Sequence, residues 1–357
     1  MSDLRNQIFK NFAPYTPGEQ PTESDWIKLN TNENAYSPSK KVLHSLQYLA
    51  ENPEKLKKYP HPFGEPLRTE VSKNFDIDPL NVLITNGSDE ALSLICKIFL
   101  DKGDSAAMPE ITYSLYDTLI KAAGASTYLA PMENGSLNFN PEKLENSNAK
   151  IVFLPNPNAN TGEYFDINKL AKLIGSSKKL WILDEAYNDF VDSKPSSFLS
   201  IIKNYNNVII VRTFSKSYAL AGMRIGYIIC MNNLYMDTFR AVKDSYNEDI
   251  ASLYIGVAAL QDKTWFNETV KKIQESRKAL IKSLKELRFN VFPSEANFIV
   301  IEPPRPLEAV NILNQLKEKK ILVRYFNTPL LKKYLRITIG TEEENSVLLN
   351  ELKKLVK

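Results

Sequence analysis

The amino-acid sequence predicts an α/β fold built on a mostly parallel sheet. Between about residues 80 and 230, short apolar segments alternate with helical segments, which is the order of strand–helix–strand units. The apolar segments are continuous runs without strict alternation, and such runs indicate strands that are covered on both faces. The chain has 357 residues, enough for about two domains and a large buried core.

The first predicted strand, VLIT at 82–85, is followed by a helix that runs to about residue 100. Ser88 or Asp89 is expected to cap this helix, because short polar side chains accept hydrogen bonds from the first free backbone N–H groups. The other elements predicted here are strands near 105–108 and at 151–154, 180–183 and 208–211, helices at 115–123 and 167–174, and a short helix of small residues that carries Arg224.

The last third of the chain predicts a second unit of the α+β type. Its elements are a long helical region at about 250–287, strands near 291 and at 297–301, a helix at 307–319, a strand at 335–339 and a last helix. Residues 1–40 are rich in Pro, Asn and Tyr, which predicts an extended arm. We therefore predict an N-terminal arm over 1–40, a large domain over 41–250 and a small C-terminal domain over 251–357.

The composition is that of an ordinary globular protein, with 43% hydrophobic and 24% charged residues. A net charge of +3 requires neither nucleic acid nor an anionic membrane as a partner. The N-terminus has no apolar run suited to a signal peptide, and no segment approaches the ~18 apolar residues of a membrane span. With only Cys96 and Cys230, no disulfide framework is expected. These features predict a cytoplasmic protein.

Several kinds of site are disfavoured by the residues and motifs that the sequence lacks. Two histidines and two cysteines are too few for a zinc site of the usual kind, so we expect no metal. The sequence has no GxxxxGK[ST] phosphate loop, no GxGxxG and no GxSxG motif. If the protein is an enzyme, its difficult chemistry is expected to come from a bound organic cofactor.

Polar residues follow each predicted strand of the large sheet. In open α/β sheets, ligands bind beyond the carboxyl ends of the strands. The residues at these positions are Ser88 and Asp89 at a helix start, the amide-rich loop 155–162, Asp184 and Tyr187, and Thr213, Ser215, Lys216 and Arg224. A helix start able to hold a phosphate, a carboxylate, a phenol, a lysine and an arginine are thus expected at one edge of one sheet.

This set of groups matches the needs of pyridoxal 5′-phosphate. The aldehyde of that cofactor requires a lysine for a Schiff base, and its pyridine nitrogen requires an acid that keeps it protonated. Lys216 is predicted to be the lysine and Asp184 the acid. The predicted phosphate ligands are the N–H groups of Ser88 and Asp89, the Ser215 hydroxyl and the Arg224 guanidinium.

The chain also resembles a known family over nearly its whole length. The resemblance is carried by FAPYTPG (12–18), KLNTNENAYSPS (28–39), YPHPFGEPLR (59–68), NGSDEAL (86–92), NPNANTG (156–162), DEAY (184–187), TFSKSYALAGMRIGY (213–227), ANF (296–298) and LRITIGT (335–341). The chain resembles the fold-type-I pyridoxal-phosphate aminotransferases, and among them most closely the histidinol-phosphate aminotransferases. The combination of SK-xxxx-AG-x-R-x-G with DEAY is specific to such proteins.

The resemblance implies roles around the cofactor ring. Lys216 would form the Schiff base and later carry a proton between the substrate's α-carbon and the cofactor. Asp184 would hold the pyridinium, and Tyr187 would hydrogen-bond the phenolic oxygen of the ring. Tyr113 would stack on the ring, and Thr213 belongs to the same cofactor-binding motif.

Further implied roles concern the substrate and a second subunit. Arg336 of LRITIGT and Arg324 of ILVR would bind the anionic group of the substrate, and Tyr15 of the arm would close over it. Tyr59 would reach the cofactor phosphate of the neighbouring subunit, which implies a homodimer.

One position departs from the family pattern. The family has Asn-Pro-Thr-Gly where this chain has Ala159, Asn160, Thr161 and Gly162, so the asparagine expected at the ring oxygen is replaced by alanine. Three alternatives are open: Asn158 takes its place, Asn160 takes its place, or Tyr187 makes the bond alone.

The implied reaction is transamination between histidinol phosphate and 2-oxoglutarate, which gives imidazole acetol phosphate and glutamate in histidine biosynthesis. An aromatic amino-acid aminotransferase or a threonine-phosphate decarboxylase would use the same scaffold and the same lysine. A cofactor-binding regulatory module is disfavoured, because the first 40 residues are too few and too proline-rich for a DNA-binding domain. The missing glycine motifs disfavour a nucleotide-binding enzyme.

Overall fold

Two sheets organise the structure, a computed structural model that describes residues 3–10, 12, 17–133, 136–192 and 194–356. The strands are β1 (Ile27–Leu29), β2 (Val82–Asn86), β3 (Ser105–Pro109), β4 (Ser126–Ala130), β5 (Ile151–Pro155), β6 (Leu180–Asp184), β7 (Val208–Thr213), β8 (Ile225–Cys230), β9 (Asn290–Val291), β10 (Phe298–Glu302), β11 (Ile321–Tyr325) and β12 (Leu335–Thr338). The helices are α1 (Lys40–Glu51), α2 (Leu67–Phe75), α3 (Gly87–Phe99), α4 (Leu115–Ala122), α5 (Glu142–Glu145), α6 (Ile167–Gly175), α7 (Asn233–Val242), α8 (Ile250–Gln261), α9 (Lys263–Glu286), α10 (Ala309–Glu318) and α11 (Glu342–Leu355).

The large sheet has the strand order β2-β8-β7-β6-β5-β3-β4. Its neighbours from β7 to β4 pair in parallel, and only β8 runs antiparallel to its two neighbours β2 and β7. The predicted α/β class with a mostly parallel sheet is therefore confirmed. Strands β1, β4, β8 and β11 and helices α1, α2, α5 and α7 were not predicted from the sequence.

The predicted helix carrying Arg224 is wrong. A short 3₁₀ turn at Ala221–Met223 replaces it, and Arg224 itself has a left-handed backbone with φ 52°. This conformation ends the turn at once and directs the chain into β8. The small residues that suggested a helix serve this tight connection.

Helix α3 begins at Gly87, and the side chain of the preceding Asn86 makes no capping hydrogen bond. Ser88 and Asp89 lie inside that turn, so the expectation that one of them caps the helix is wrong. Gly87 has φ +72°, and a Cβ atom on Gly226 of β8 would lie 2.5 Å from the carbonyl carbon of Gly87. Glycine at these two positions lets β8 pass directly against the start of α3.

The second sheet has the order β1-β11-β12-β10-β9, and β1 pairs in parallel with β11. Part of the predicted arm is thus a strand of the C-terminal sheet, while the boundaries at 40 and 250 remain predictions. The predicted helical region 250–287 consists of α8 and α9, and the Asp262 carboxylate caps the start of α9. None of the helices within the described ranges is long and apolar enough to cross a membrane.

The central strands bury both of their faces. Along β5 and β6, Val152 and Trp181 pack into one core while Phe153 and Ile182 pack into a second core on the opposite face. All four are at most 1% exposed. Because both faces are covered, these strands are continuous apolar runs, and each fully buried large side chain stabilises the fold by about 1.5–3 kcal/mol.

Glu163 follows the loop after β5 and makes stability depend on pH. Burial raises the pKa of its carboxyl from 4.5 to about 7, although the backbone N–H of Phe139 donates to it. The folded protein therefore holds a proton there that the unfolded chain loses near pH 4.5. Stability contributed by this group is complete below about pH 4.5 and is lost as pH rises to about 7.

Because the side chain is partly exposed, solvent reduces the effect, and we expect Glu163→Gln to stabilise the protein at pH 8 by on the order of 2 kcal/mol and to leave stability at pH 4.5 nearly unchanged. Urea unfolding at both pH values measures this difference. The exposed Glu268 of α9 provides the control, since Glu268→Gln is expected to change stability little at either pH. A Glu163→Gln variant that is less stable than the wild type at pH 8 would contradict the assignment.

Candidate active site

A cavity of about 220 Å³ lies at the carboxyl edge of the large sheet, where it faces the C-terminal sheet. Side chains from both sheets line it. The sequence-predicted residues among them are Ser88, Asp89, Tyr113, Asp184, Tyr187, Thr213, Ser215, Lys216, Arg224, Arg324 and Arg336. The structure thus brings together nearly all of the predicted site residues that it describes.

Asp184 is the last residue of β6 and is 5% exposed. One of its carboxylate oxygens accepts a hydrogen bond from the backbone N–H of Ala186 at 3.0 Å, and the other accepts one from the Tyr116 hydroxyl at 2.6 Å. Burial raises the pKa of Asp184, and these two hydrogen bonds and the charge of Lys216 oppose that rise. The carboxylate is therefore fixed in orientation, and a cationic partner in the cavity would stabilise its charged form.

Lys216 lies three residues beyond the end of β7. The side chain of Asn34 holds its backbone by donating to the Lys216 carbonyl at 2.9 Å. The Lys216 Nζ donates to the carbonyl of Thr31 at 3.3 Å and lies 5.7 Å from the centre of the Tyr187 ring. A long hydrogen bond and a ring contact leave the amine able to turn toward a ligand in the cavity.

One end of the cavity carries hydrogen-bond donors suited to a phosphate. The uncapped start of α3 lies there. Arg224 donates to Asp89 at 3.0 Å and to the Ser215 hydroxyl at 3.5 Å, while the Tyr113 hydroxyl donates to Asp89 at 3.2 Å. A helix N-terminus, a hydroxyl and a guanidinium together favour a dianionic group at this end.

The opposite wall of the cavity carries two arginines on adjacent strands. Arg324 of β11 and Arg336 of β12 are direct partners in an antiparallel pair, so their side chains lie on the same face. Arg336 donates to the Ala159 carbonyl and to the Asn160 side chain, both at 3.0 Å. Arg324 donates to the Pro17 carbonyl at 3.2 Å. Two guanidinium groups on one face of the sheet can together bind an anionic ligand.

Comparison with known proteins assigns the chain to a family. The family model for aminotransferase class I and II matches residues 24–352. The chain belongs to this family. It is therefore a pyridoxal-phosphate-dependent aminotransferase of fold type I, and the recognition made from the sequence motifs is confirmed.

Relatives and solved structures agree with this assignment. The chain is 41% identical to a histidinol-phosphate aminotransferase of Synechocystis sp. over 98% of this chain and 97% of that protein. It is 39% identical to the histidinol-phosphate aminotransferase of Microcystis aeruginosa over 96% and 95% of the two chains. The crystal structure of the Sinorhizobium meliloti histidinol-phosphate aminotransferase in complex with pyridoxal-5′-phosphate superposes with a TM-score of 0.90 at 22% identity, covering 100% of this chain and 98% of that one.

The residues of the cavity fit the cofactor of an aminotransferase. Three of its polar features are an aldehyde, a ring nitrogen and a phosphate. The cavity offers the Lys216 amine for the first, the buried Asp184 carboxylate for the second and the donors around Arg224 for the third. Each of these three features therefore has a partner among the residues of the cavity.

Two of the predicted site residues that the structure describes, Asn158 and Tyr59, do not line this cavity. The Asn158 side chain is fully buried, donates to the Ile111 carbonyl at 2.9 Å and accepts from the backbone N–H groups of Asn160 and Thr161. These hydrogen bonds hold the loop and link it to the segment after β3, while a contact of Asn158 with the cofactor stays a prediction. Tyr59 is 80% exposed and stacks on Tyr246 outside the cavity, and Tyr15 lies outside the described residues.

Sequence reasoning missed two polar neighbours of the site. Tyr116 donates to Asp184, and the only signal was its position three residues after Tyr113, on one face of the helix start. Asn32 donates to the Tyr187 hydroxyl at 3.0 Å. It lies within the motif KLNTNENAYSPS, but nothing in that motif indicates that its amide faces a tyrosine 155 residues away.

Proposed function

We propose that the chain transfers the amino group of histidinol phosphate to 2-oxoglutarate, a step of histidine biosynthesis. The names and near-complete coverage of the relatives at 39% and 41% identity carry this proposal. The paired Arg324 and Arg336 support it, because both substrates present an anionic group remote from the reacting carbon. One is a phosphate ester and the other a second carboxylate, and guanidinium groups bind both in a bidentate manner.

Different residues of the chain have different roles in the proposed reaction. When bound, pyridoxal phosphate supplies the electron sink for the charge that develops at the substrate's α-carbon. Lys216 would bind the cofactor, and its Nζ would remove the proton from the substrate's α-carbon and deliver it to the cofactor. Asp184 holds the proton on the ring nitrogen, and Arg224 with Ser215 holds the phosphate.

The aromatic residues of the cavity orient the cofactor ring in this proposal. The Tyr113 ring stands edge-on to Tyr116 with centroids 5.6 Å apart, and its hydroxyl is held by Asp89. A ring fixed in this way presents a face on which another aromatic ring can stack. Tyr187 donates its hydroxyl proton to the oxygen of the cofactor ring.

A comparison of substrates separates this proposal from its rivals. The kcat/KM for L-histidinol phosphate with 2-oxoglutarate is expected to exceed that for L-phenylalanine or L-tyrosine by at least about 100-fold, since their α-carboxylate carries less charge than a phosphate and lies closer to the reacting carbon. A preference for the aromatic amino acids would replace the proposal with an aromatic aminotransferase. Release of CO2 from threonine phosphate without glutamate formation would replace it with a decarboxylase.

Loss of either arginine is expected to impair substrate binding rather than the chemistry of the ring. Arg336→Ala should lower kcat/KM for histidinol phosphate about 100-fold, and Arg324→Ala about 10-fold, while the cofactor absorption stays unchanged. Arg336 has the larger expected effect because Asn160 and the Ala159 carbonyl fix its position. Arg305, exposed and remote from the cavity, is the matched control. Equal kcat/KM in Arg336→Ala and Arg305→Ala would contradict the role.

We also propose that the enzyme is a cytoplasmic homodimer in which Tyr59 reaches the cofactor phosphate of the other subunit. Tyr59 stacks on the half-exposed Tyr246, with ring centroids 4.4 Å apart. Leu43 and Leu46 of α1 and Leu56 just beyond it are between 41% and 57% exposed. Large apolar side chains exposed on one stretch of surface favour contact with another protein surface.

The dimer can be tested by charge substitution on α1. The double variant Leu43→Asp/Leu46→Asp is expected to sediment as a monomer, with cofactor bound more weakly because the phosphate loses Tyr59 of the other subunit. Leu234 of α7 is 71% exposed and provides the control, since Leu234→Asp should remain a dimer. A wild-type protein that sediments as a monomer at micromolar concentration would contradict the proposal.

A further inference from the structure

Asn32 joins the C-terminal sheet to the cofactor side of the cavity. It is 1% exposed, and its backbone is left-handed with φ 57°. Its backbone N–H donates to the hydroxyl of Thr338 at 3.0 Å, and its carbonyl accepts from the side chain of Asn297 at 3.1 Å. The residue is thus held by β12 and by the segment before β10.

The hydrogen bonds of Thr338 fix the orientation of the Asn32 amide. The Thr338 hydroxyl accepts the backbone N–H of Asn32 and donates its proton to the Oδ1 of Asn32 at 3.1 Å. The opposite orientation of the amide would place an NH2 group against this 3% exposed hydroxyl and would remove the Oδ1 acceptor of its proton. The Nδ2 of Asn32 therefore points the other way and donates to the Tyr187 hydroxyl at 3.0 Å.

This contact determines where the proton of Tyr187 goes. A phenol has one proton, and an oxygen that accepts a hydrogen bond from Asn32 directs its own proton away from that donor. Among the described residues, no hydrogen bond from the Tyr187 hydroxyl to a protein acceptor is formed, and Tyr187 lines the cavity. Its proton accordingly points into the cavity.

We infer that Asn32 is a positioning residue that presets the Tyr187 hydroxyl as a donor to the oxygen of the cofactor ring. The inference rests on the cofactor role proposed above for Tyr187, and it explains how the chain functions with Ala159. That alanine offers no side-chain donor, while the Asn158 amide donates to the Ile111 carbonyl and the Asn160 amide donates to the Thr112 carbonyl. Asn32 thus compensates for the missing donor at position 159 by orienting the hydroxyl of Tyr187.

The inference predicts a spectroscopic effect that does not depend on the substrate. Donation to the ring oxygen stabilises its negative charge, so that the linkage between Lys216 and the cofactor loses its proton at a lower pH. Tyr187→Phe is expected to raise the midpoint of the visible absorption titration by about one pH unit. Asn32→Asp should raise it equally, because the new carboxylate would accept the hydrogen bond of the Tyr187 hydroxyl, which then no longer donates to the cofactor. Asparagine and aspartate both tolerate the left-handed backbone.

Four further variants complete the test. The double variant Asn32→Asp/Tyr187→Phe should show no additional shift, and Asn32→Gly, which also suits a positive φ, should show a smaller one. Adding Ala159→Asn to Asn32→Gly should return the midpoint toward that of the wild type. Asn81→Asp is the matched control, since the Asn81 amide donates to the Cys230 carbonyl at the opposite end of the sheet and its loss should leave the midpoint unchanged.

The outcomes separate this inference from the proposed function. If Tyr187→Phe shifts the midpoint and both Asn32 variants keep the wild-type value, the positioning role of Asn32 is overturned while the role of Tyr187 stands. If Tyr187→Phe itself causes no shift, both are overturned. The substrate preference of the enzyme is decided separately by turnover, because the titration contains no substrate. Thermal unfolding of each variant identifies any change that comes from loss of the fold.

Discussion

Replacing Lys216 with alanine is expected to lower kcat by at least about 10⁴-fold, because the variant has neither the amine that binds the cofactor nor the base that moves the α-proton. The Nζ contacts only a carbonyl at 3.3 Å and the face of Tyr187 among the described residues, so its loss should cost little stability. Steady-state turnover measures the loss of kcat, the visible spectrum measures the loss of the lysine-bound cofactor, and thermal unfolding measures stability.

Lys203 provides the control for this variant. Its side chain is 60% exposed and pairs with Asp76 on the surface, so Lys203→Ala should keep wild-type turnover and spectrum. Addition of a small primary amine such as methylamine is expected to restore part of the proton transfer in Lys216→Ala. A Lys216→Ala variant that retains more than a tenth of wild-type kcat would show that another group carries the chemistry.

The second large effect is expected at Asp184. Asp184→Asn should lower kcat about 10²–10³-fold, because an amide cannot hold the proton on the ring nitrogen through its charge. It should also weaken cofactor binding to the apoenzyme. The amide oxygen can accept from Tyr116 or Ala186 but leaves its NH2 facing the other donor, so a loss of about 1–2 kcal/mol in the free energy of unfolding is expected as well.

Tyr116→Phe is a milder change at the same site and provides the comparison for Asp184→Asn. It keeps the carboxylate and removes one donor that stabilises its charge, and the ring still stacks on Phe153 with centroids 5.1 Å apart. Burial already raises the pKa of Asp184, and loss of this hydrogen bond should raise it further. Turnover should fall about 10-fold, most steeply at low pH where the carboxyl is protonated. Equal losses in the two variants would mean that the charge of Asp184 is not what matters.

Much of the fold could be predicted from the sequence because its central strands are buried on both faces. The runs at 151–154, 180–183 and 208–211 each correspond to a strand, and each ends where the site residues begin. Strand β8 was missed, because it follows a segment whose small residues indicated a helix. Strand β1 has only three residues, and it forms by pairing with the distant strand β11. No local sequence pattern indicates such a long-range contact.

The site was predictable where a residue type and its position after a strand both carry chemistry, as for Asp184 and Lys216. The site was not predictable where the role of a side chain is to hydrogen-bond and position another group of the protein. Asn158 looks like a ligand in the sequence, but its amide bonds to the Ile111 carbonyl and to two backbone N–H groups of its own loop. Asn32 and Tyr116 act across long separations in the chain, and only the folded structure brings them to Tyr187 and Asp184.

The most direct test of the account is the absorption spectrum of the purified enzyme before and after addition of L-histidinol phosphate without a keto acid. We expect a visible band from the lysine-bound cofactor that gives way to the absorption of the pyridoxamine form, since a single half-reaction can proceed without an acceptor. Addition of 2-oxoglutarate should then restore the band. A band that histidinol phosphate leaves unchanged would contradict the proposed substrate, and the absence of any band after addition of pyridoxal phosphate would contradict the assignment of the site.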